Sequence, residues 1–487
     1  MHLIFFSPAG WQDWDVEREP LIRSGMPVLI ENDLRLEDEA GLRASALVNR
    51  WLRELPVSGA PSPNTWEAYA RALRDWLAFL GDRGVAAFDS RDRLRAVLSV
   101  YAEYRLAGPL DARLAESSWN LHVTAVARFY EWAVDEGHAA AVPFTYAWAR
   151  RFVHGEARTV RRNLAKLREP KPATTIKYLE PDFAELLVQA LEGLRPDGAP
   201  DLGFRGHDPG RNAAMTRFAL ASGLRRREFT YLLAPEIPPL PLEPTVLPVL
   251  LPVPGKIAKG GKQRTTWVSY DALAAVHRYL ELERPLATEG SSWRPDPRRG
   301  EPLMVTHADW RGGVINGRRR AWSGLGPAER LRLVDEKGGS LLVAVQRDGA
   351  PFTDWATVFR RASDRIRDRF EPRFPHVYPH RLRHSFSLGT LEELVSGYYA
   401  QAAKLVADTD DNAALALYLT KADPIQVLRD LLGHSSVLTT QVYLSRIDLN
   451  RVFREAYEDV GRRTGLSGAV LAEVDGEFAD DEPAEAR

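Results

Sequence analysis

The chain has 487 residues, too many for one compact domain, so two or three are expected. Hydrophobic residues make up 45% and charged residues 27%, and the complete lack of Cys excludes a disulfide framework, a Cys-ligated zinc finger and a Cys nucleophile while fitting a reducing compartment. The net charge of −1 hides an asymmetry: residues 466–487 hold seven acids and one Arg, so the remainder carries +5, and residues 150–177 hold nine Lys/Arg against two Glu.

The N-terminal MHLIFFSPAG lacks a basic n-region and is too short in apolar residues for a signal peptide, and no apolar run is long enough to span a bilayer, so a soluble, cytoplasmic protein is expected. Residues 1–60 show no clear period and read as an accessory segment. Residues 61–84 read as a capped helix, with Pro63 and Asn64 ahead of Trp66, Tyr69, Leu73, Leu77 and Leu80 at helical spacing. Further helices over 90–107 and 117–137 complete a small bundle at 61–148, with Arg71, Arg74 and Arg128 as ordinary surface charges. A basic linker follows at 149–177, and its Arg150, Arg151, Arg158, Arg161, Arg162, Lys166 and Arg168 suit a polyanion. Residues 178–465 read as a second domain. Helical patterns return at 180–194 and at 211–233, the latter broken at Gly223. Two β-prone runs around a Gly/Lys turn in 247–270 predict a hairpin. Residues 285–350 read as long loops, helices are expected at 355–370, 380–406, 423–432 and 437–461, and the acidic end at 466–487 reads as disordered.

The chemistry concentrates in HRLRHSF (380–386). Two Arg and two His in five positions repel one another unless an anion sits among them. Pro379 suits a first helical turn, whose free N–H groups also attract anions, and an Arg fork matches two phosphate oxygens at once. His380 and His384 have the spacing of a zinc pair, but Arg stands where the HExxH Glu belongs, so no metal is called for. The element has partners elsewhere: Arg225 in SGLRRRE (222–228), Lys259 in the turn KGGKQR (259–264), and His434 and Tyr443 in LLGHSSVLTTQVYLS (431–445).

This ordered set resembles the tyrosine recombinase (phage integrase) family. GLRxxE is matched by Gly223, Leu224, Arg225 and Glu228; HxLRH(S/T)F by His380, Leu382, Arg383, His384, Ser385 and Phe386; and LGHSS followed nine residues after its His by Tyr by His434 and Tyr443. AKGGKQR makes Lys259 the better match to the family's Lys, with Lys262 and Lys256 open as alternatives. The resemblance covers about residues 61–460. It departs in the 51 residues between Arg383 and His434 and in apparent insertions at 306–347 and 390–420.

The resemblance implies a mainly α fold with a small antiparallel sheet (α+β), arranged as a two-domain DNA clamp: a helical core-binding (SAM-like) bundle and a catalytic domain. It implies a site-specific recombinase or integrase of a mobile element, cutting and rejoining DNA through a 3′-phosphotyrosine without metal, cofactor or ATP. Tyr443 is then the nucleophile; Arg225 and Arg383 hold the phosphate; His380 and His434 bond the same phosphate or move protons; Lys259 is the general acid. Glu228 and His384 support the set, Glu228 either orienting the cluster or neutralising Arg as a buried carboxylate, and His384 by packing or by bracing a residue that meets the substrate. Lys262 and Arg264 are expected on DNA. Double-stranded recombination sites, a tetramer on two sites with 448–463 as its docking helix, and accessory recombination proteins are the implied partners, with location at the nucleoid. A non-catalytic DNA-binding protein on the same fold, a type IB topoisomerase and a telomere resolvase are the alternatives.

Overall fold

The computed structural model describes residues 1–39, 41–153, 156–167, 177–297, 300–408, 423–434, 440 and 443, with backbone alone at 151–153, 156–158 and 398–408. The chain is mostly helical with small sheets and divides into two compact units, Met1–Ala173 and Thr174–Arg487. Among the described residues no helix is long and apolar enough to cross a membrane.

The first unit opens with β1 (His2–Phe5) paired to β2 (Pro27–Ile30), the short pair β3 (Glu37–Asp38) and β4 (Gly41–Leu42), and α1 (Ala44–Glu54). Three helices follow: α2 (Pro63–Gly81), α3 (Arg91–Leu106) and α4 (Glu116–Asp135). Pro63 occupies the first turn of α2, where its missing N–H costs nothing. Residues 1–60 are no separate accessory. Met26, Leu29, Val48, Trp51 and Leu52 are buried in one core with Trp66, Tyr69, Leu73 and Trp76, and Asn49 clips β2 to α1 by exchanging hydrogen bonds with the backbone of Leu29 (2.7 and 2.8 Å). Their apolar positions are too scattered between short strands to show a period.

Much of the expected linker is folded. β5 (Tyr146–Val153) and β6 (Glu156–Asn163) form an antiparallel hairpin in register from Tyr146↔Asn163 to Val153↔Glu156. Its adjacent arginines, Arg150–Arg151 and Arg161–Arg162, mask the β signal, because charge on neighbouring positions puts Arg on both faces and breaks the apolar alternation.

The second unit packs α5 (Pro181–Glu192), α6 (Pro209–Ser222), the short α7 (Arg226–Tyr231), the hairpin β7 (Val249–Val253) and β8 (Arg264–Val268), and α8 (Tyr270–Arg278), which runs through a π-helical turn into α9 (Arg284–Thr288). Leu187, Phe218, Leu224, Leu251, Leu273, Trp355, Phe359 and Leu382 sit in its core. The stretch expected as loops holds a four-stranded sheet of order β11-β10-β9-β12, built from β9 (Leu303–Thr306), β10 (Gly312–Ile315), β11 (Arg318–Ala321) and β12 (Leu333–Asp335), with α10 (Pro327–Arg330) between the last two. The β9–β12 pair is parallel and the others antiparallel. Strands of three or four residues carry too little pattern to be read locally, and this sheet instead closes over Leu233, Val305, Ile315, Trp322, Leu333 and Leu342. Then come α11 (Trp355–Arg369), α12 (Pro379–Asp408) and α13 (Pro424–Leu432). Residues 390–408 of the apparent insertion prolong α12. Residues 409–422, the expected helix at 437–461 apart from 440 and 443, the docking segment 448–463 and the acidic end lie outside the described residues.

Candidate active site

The site lies within the second unit, where three helix ends meet. α6 stops at Gly223, which has φ +61° and whose missing Cβ would stand 2.2 Å from the Phe386 ring. Both facts demand glycine there. The chain then extends through Arg225 into α7. Glu228, in the first turn of α7, accepts the backbone N–H of Arg225 at 2.8 Å and its Nη1 at 3.1 Å. A carboxylate is favoured at a helix start. Glu228 is 0% exposed, and Arg264 grips it through two further bonds of 2.7 Å each. The Arg264 Nε donates to the carbonyl of Leu431 at 3.0 Å, which ties β8 to the end of α13.

Arg383, one turn into α12, is 1% exposed. Its Nη1 donates to the carbonyl of Gly223 and its Nη2 to that of Leu432, both at 2.5 Å. These are carbonyls at the ends of α6 and α13, where the helix dipole favours a cation. Each terminal nitrogen carries two hydrogens, and a carbonyl takes one of each. His434 follows the C-capping Gly433; its Nε2 lies 3.4 Å from Arg383 Nη2 and its Nδ1 is hydrogen-bonded to Thr440 Oγ1 at 3.0 Å. Tyr443 is 3% exposed, packed with Phe386, Leu391 and Leu432, and its hydroxyl meets His384 Nδ1 at 2.9 Å. The His384 ring stands edge-on to the His380 ring at 4.4 Å between centroids. Lys259 lies exposed in the one-turn 3-10 helix Lys259–Gly261, near enough for its charge to act on His380.

The electrostatics record crowding of like charge. Burial, then Arg383 and Arg225, hold His434 down to about 4. Burial, then His380 and Arg383, do the same to His384, also about 4. His380 is lowered by burial and by Arg383, Arg225 and Lys259. Burial and the neighbouring Arg225 lower Arg383 itself to about 9. Burial raises the Tyr443 phenol, against a hydrogen bond from Ser387 and the charges of Arg383 and Arg225. Glu228 answers only part of this positive surplus. Its carboxyl is buried, which opposes ionisation, yet Arg264 and Arg225 hold it below the ordinary value. A tetrahedral oxyanion beside Arg225, Arg383 and His434 would relieve the repulsion.

The residues singled out in sequence, Arg225, Glu228, Lys259, His380, Arg383, His384, His434 and Tyr443, thus share one neighbourhood. One placement differs from expectation. Arg264, expected on DNA, has a side chain 7% exposed and is consumed by Glu228 and Leu431, because a planar guanidinium fork matches both oxygens of a buried carboxylate. His384, expected to pack or to support the set from behind, contacts the phenol, which is the second of those roles. Thr440, Ser387 and the carbonyls of Gly223 and Leu432 carry no sequence signal. Lys262 and Lys256 are exposed, and the Lys256 carbonyl accepts Arg227. In the first unit, Arg150, Arg161, Arg162 and Lys166 border a groove of about 790 Å³ with Asn120 and Thr124, and Arg161 lies over the Tyr146 ring at 3.6 Å. The side chains of Arg151, Arg158 and Arg168 lie outside the described residues.

Residues 48–137 match the family described as phage integrase, N-terminal SAM-like domain. No curated protein matches the chain. Among solved structures the chain is similar to the XerH site-specific recombinase bound to a palindromic difH substrate in a post-cleavage complex, at 13% identity and TM-score 0.43 over 84% of this chain and 83% of that one. It is also similar to the Tn1549 transposon integrase, residues 82–397, in complex with circular intermediate DNA, at 15% identity and TM-score 0.43 over 82% and 94%.

Proposed function

We propose, for a chain that resembles tyrosine recombinases in four ordered motifs and matches the phage integrase N-terminal SAM-like domain at residues 48–137, that it is a site-specific DNA recombinase of a mobile element. The observation that carries the reading is the convergence of Arg225, Arg383, His434 and the Tyr443 phenol, from three separate stretches of sequence, on one positive pocket.

The Tyr443 oxygen attacks the phosphorus of a DNA phosphodiester and the bond to the 5′ oxygen breaks. Arg225 and Arg383 hold the charge that builds on the non-bridging oxygens, each such preorganised donor contributing on the order of 3 kcal/mol. His380 and His434 bond the same phosphate. The phenol proton leaves through the His384 contact, and Lys259 gives a proton to the departing 5′ oxygen, as general acid. The products are a 3′-phosphotyrosine and a free 5′-OH. The ester keeps the bond energy, so the reverse attack by another strand's 5′-OH reseals the DNA without ATP. Arg150, Arg161, Arg162 and Lys166 contact phosphates from the first unit, adding affinity with little sequence choice. A tetramer on two sites, joined through 448–463, performs the exchange.

The test uses nicked duplexes made from the genomic DNA flanking the gene. Wild-type protein is expected to form a covalent DNA adduct resistant to denaturant, and Tyr443→Phe to form none while still binding. If wild-type protein binds these duplexes and never forms the adduct, the proposal is wrong. Relaxation of any supercoiled plasmid by the monomer would instead mark a type IB topoisomerase.

A further inference from the structure

We propose that the hairpin β10–β11 is an additional duplex-DNA contact of the second unit, binding phosphates through Arg318, Arg319 and Arg320; this rests on the reading of the protein as DNA-acting. β11 is the edge strand of its sheet, and its three arginines are exposed in succession. Successive residues of a strand point to opposite faces, so Arg318 and Arg320 project from one face and Arg319 from the other. Asn316 (φ 46°) and Gly317 (φ 79°) form the two-residue turn, a conformation that fixes the register Ile315↔Arg318.

Charge on an edge strand is the ordinary device against edge-to-edge aggregation. That accounts for one or two charges. Here Arg311 joins the row, its guanidinium 4.4 Å from the centroid of the exposed Trp310 ring. Asp309 pairs with Arg319 at 2.5 Å, while Arg318 and Arg320 have no ion pair among the described residues. Four guanidiniums against one carboxylate repel one another, and a polyanion removes that repulsion. Arginine also fits phosphate bidentately, which edge protection does not require.

The hairpin is held rigidly. Arg330, fully buried, donates to the carbonyls of Tyr231, Trp322 and Leu325 and to both oxygens of Glu236. Tyr231 ends α7, the helix that Arg225 begins, so the basic edge is braced on the same short helix as the candidate site. Trp310, Arg311 and Ala321 also line a cleft of about 570 Å³ whose other wall includes Pro252 and Gln263 of the β7–β8 hairpin. Lys259 sits at the turn of that hairpin. Through Trp310 and Arg311 the basic edge thus neighbours the β7–β8 hairpin that carries Lys259.

The experiment measures the affinity of the full chain for a mixed-sequence duplex between low and high salt, in wild type and in the triple variant Arg318→Gln/Arg319→Gln/Arg320→Gln. Each lost phosphate contact removes about 0.9 from the slope of log affinity against log salt, so the triple variant is expected to be shallower by about 2.7 and weaker on the order of 100-fold near physiological salt. An unfolding midpoint equal to wild type shows that the platform is intact, and Arg318→Glu alone provides a second variant that leaves the Asp309 pair in place. Unchanged slope and affinity in both variants would overturn the proposal in favour of edge protection. Unchanged DNA binding with lost self-association would overturn it in favour of a protein partner. Wild-type protein that binds duplex with a steep slope but forms no adduct sinks the recombinase reading and leaves this one standing; absence of any salt-dependent binding sinks both.

Discussion

Glu228 offers the sharpest test of how the site is held. Its carboxylate is fully buried and takes four hydrogen bonds, two from Arg264 and two from Arg225. In Glu228→Gln the volume stays but the charge goes, which leaves Arg264 buried without its counter-charge. Arg225 is partly exposed and can turn to water; Arg264 cannot. Removing one partner of a buried pair costs about 3–5 kcal/mol, and at about 2–4 °C per kcal/mol for a unit of this size the melting temperature should fall on the order of 10 °C. The pH dependence has a definite sign. The folded carboxyl sits below its ordinary value of 4.5, so its contribution is present above that pH and is lost as pH falls through the folded value. Wild type and Glu228→Gln should therefore converge in acid. The assay is thermal and urea unfolding of both proteins between neutral pH and acid, with Glu228→Leu/Arg264→Met alongside. That apolar pair should recover most of the stability, yet still fail to form the DNA adduct, because Arg225 has lost its brace. A Glu228→Gln protein that melts within about 2 °C of wild type would refute the idea that this carboxylate anchors the cluster.

Two further outcomes follow from the same geometry. Sulfate, which does not titrate in this range, should bind more tightly as pH falls from about 6.5 to about 4, since His434 and His384 are held near 4 by burial and by surrounding cations whose share an anion would offset. Calorimetry in two buffers of different ionisation enthalpy should record proton uptake, and a flat affinity across this window would contradict it. Without the anion, stability should fall over that window, because the unfolded chain takes up these protons first; sulfate should restore it. Gly223→Ala forces a side chain into the left-handed region and to within 2.2 Å of the Phe386 ring, so it should lower the unfolding midpoint by more than the roughly 1 kcal/mol of a simple glycine substitution and displace the Gly223 carbonyl from Arg383. An unchanged midpoint would mean that Phe386 moves freely.

Much of the site was legible before any coordinates because its parts are punctuated locally. Gly223 and Gly433 end helices, Pro379 begins one, and the charged residues beside them have no apolar pattern to serve, so Arg225, Arg383 and His434 stand out along the chain. Periodicity likewise marked α2, α4, α5 and α11, which bury one face each. The sheet at 303–335 was invisible for the opposite reason: its strands of three or four residues show at most two turns of the two-residue alternation, and what holds them is Arg330 reaching Tyr231, 99 residues away.

Residue types and spacing alone picked out Arg225, Arg383, His434 and Tyr443 as a candidate set, since helix stops and starts are written in glycine, proline and short-range hydrogen bonds. Only tertiary structure decided that Arg264 serves Glu228 and not a ligand, that Arg383 is clamped by the carbonyl ends of two helices, and that the partner of the Tyr443 hydroxyl is His384. Those assignments depend on which buried donor lies within 3 Å of which acceptor, and burial is a property of the packed whole.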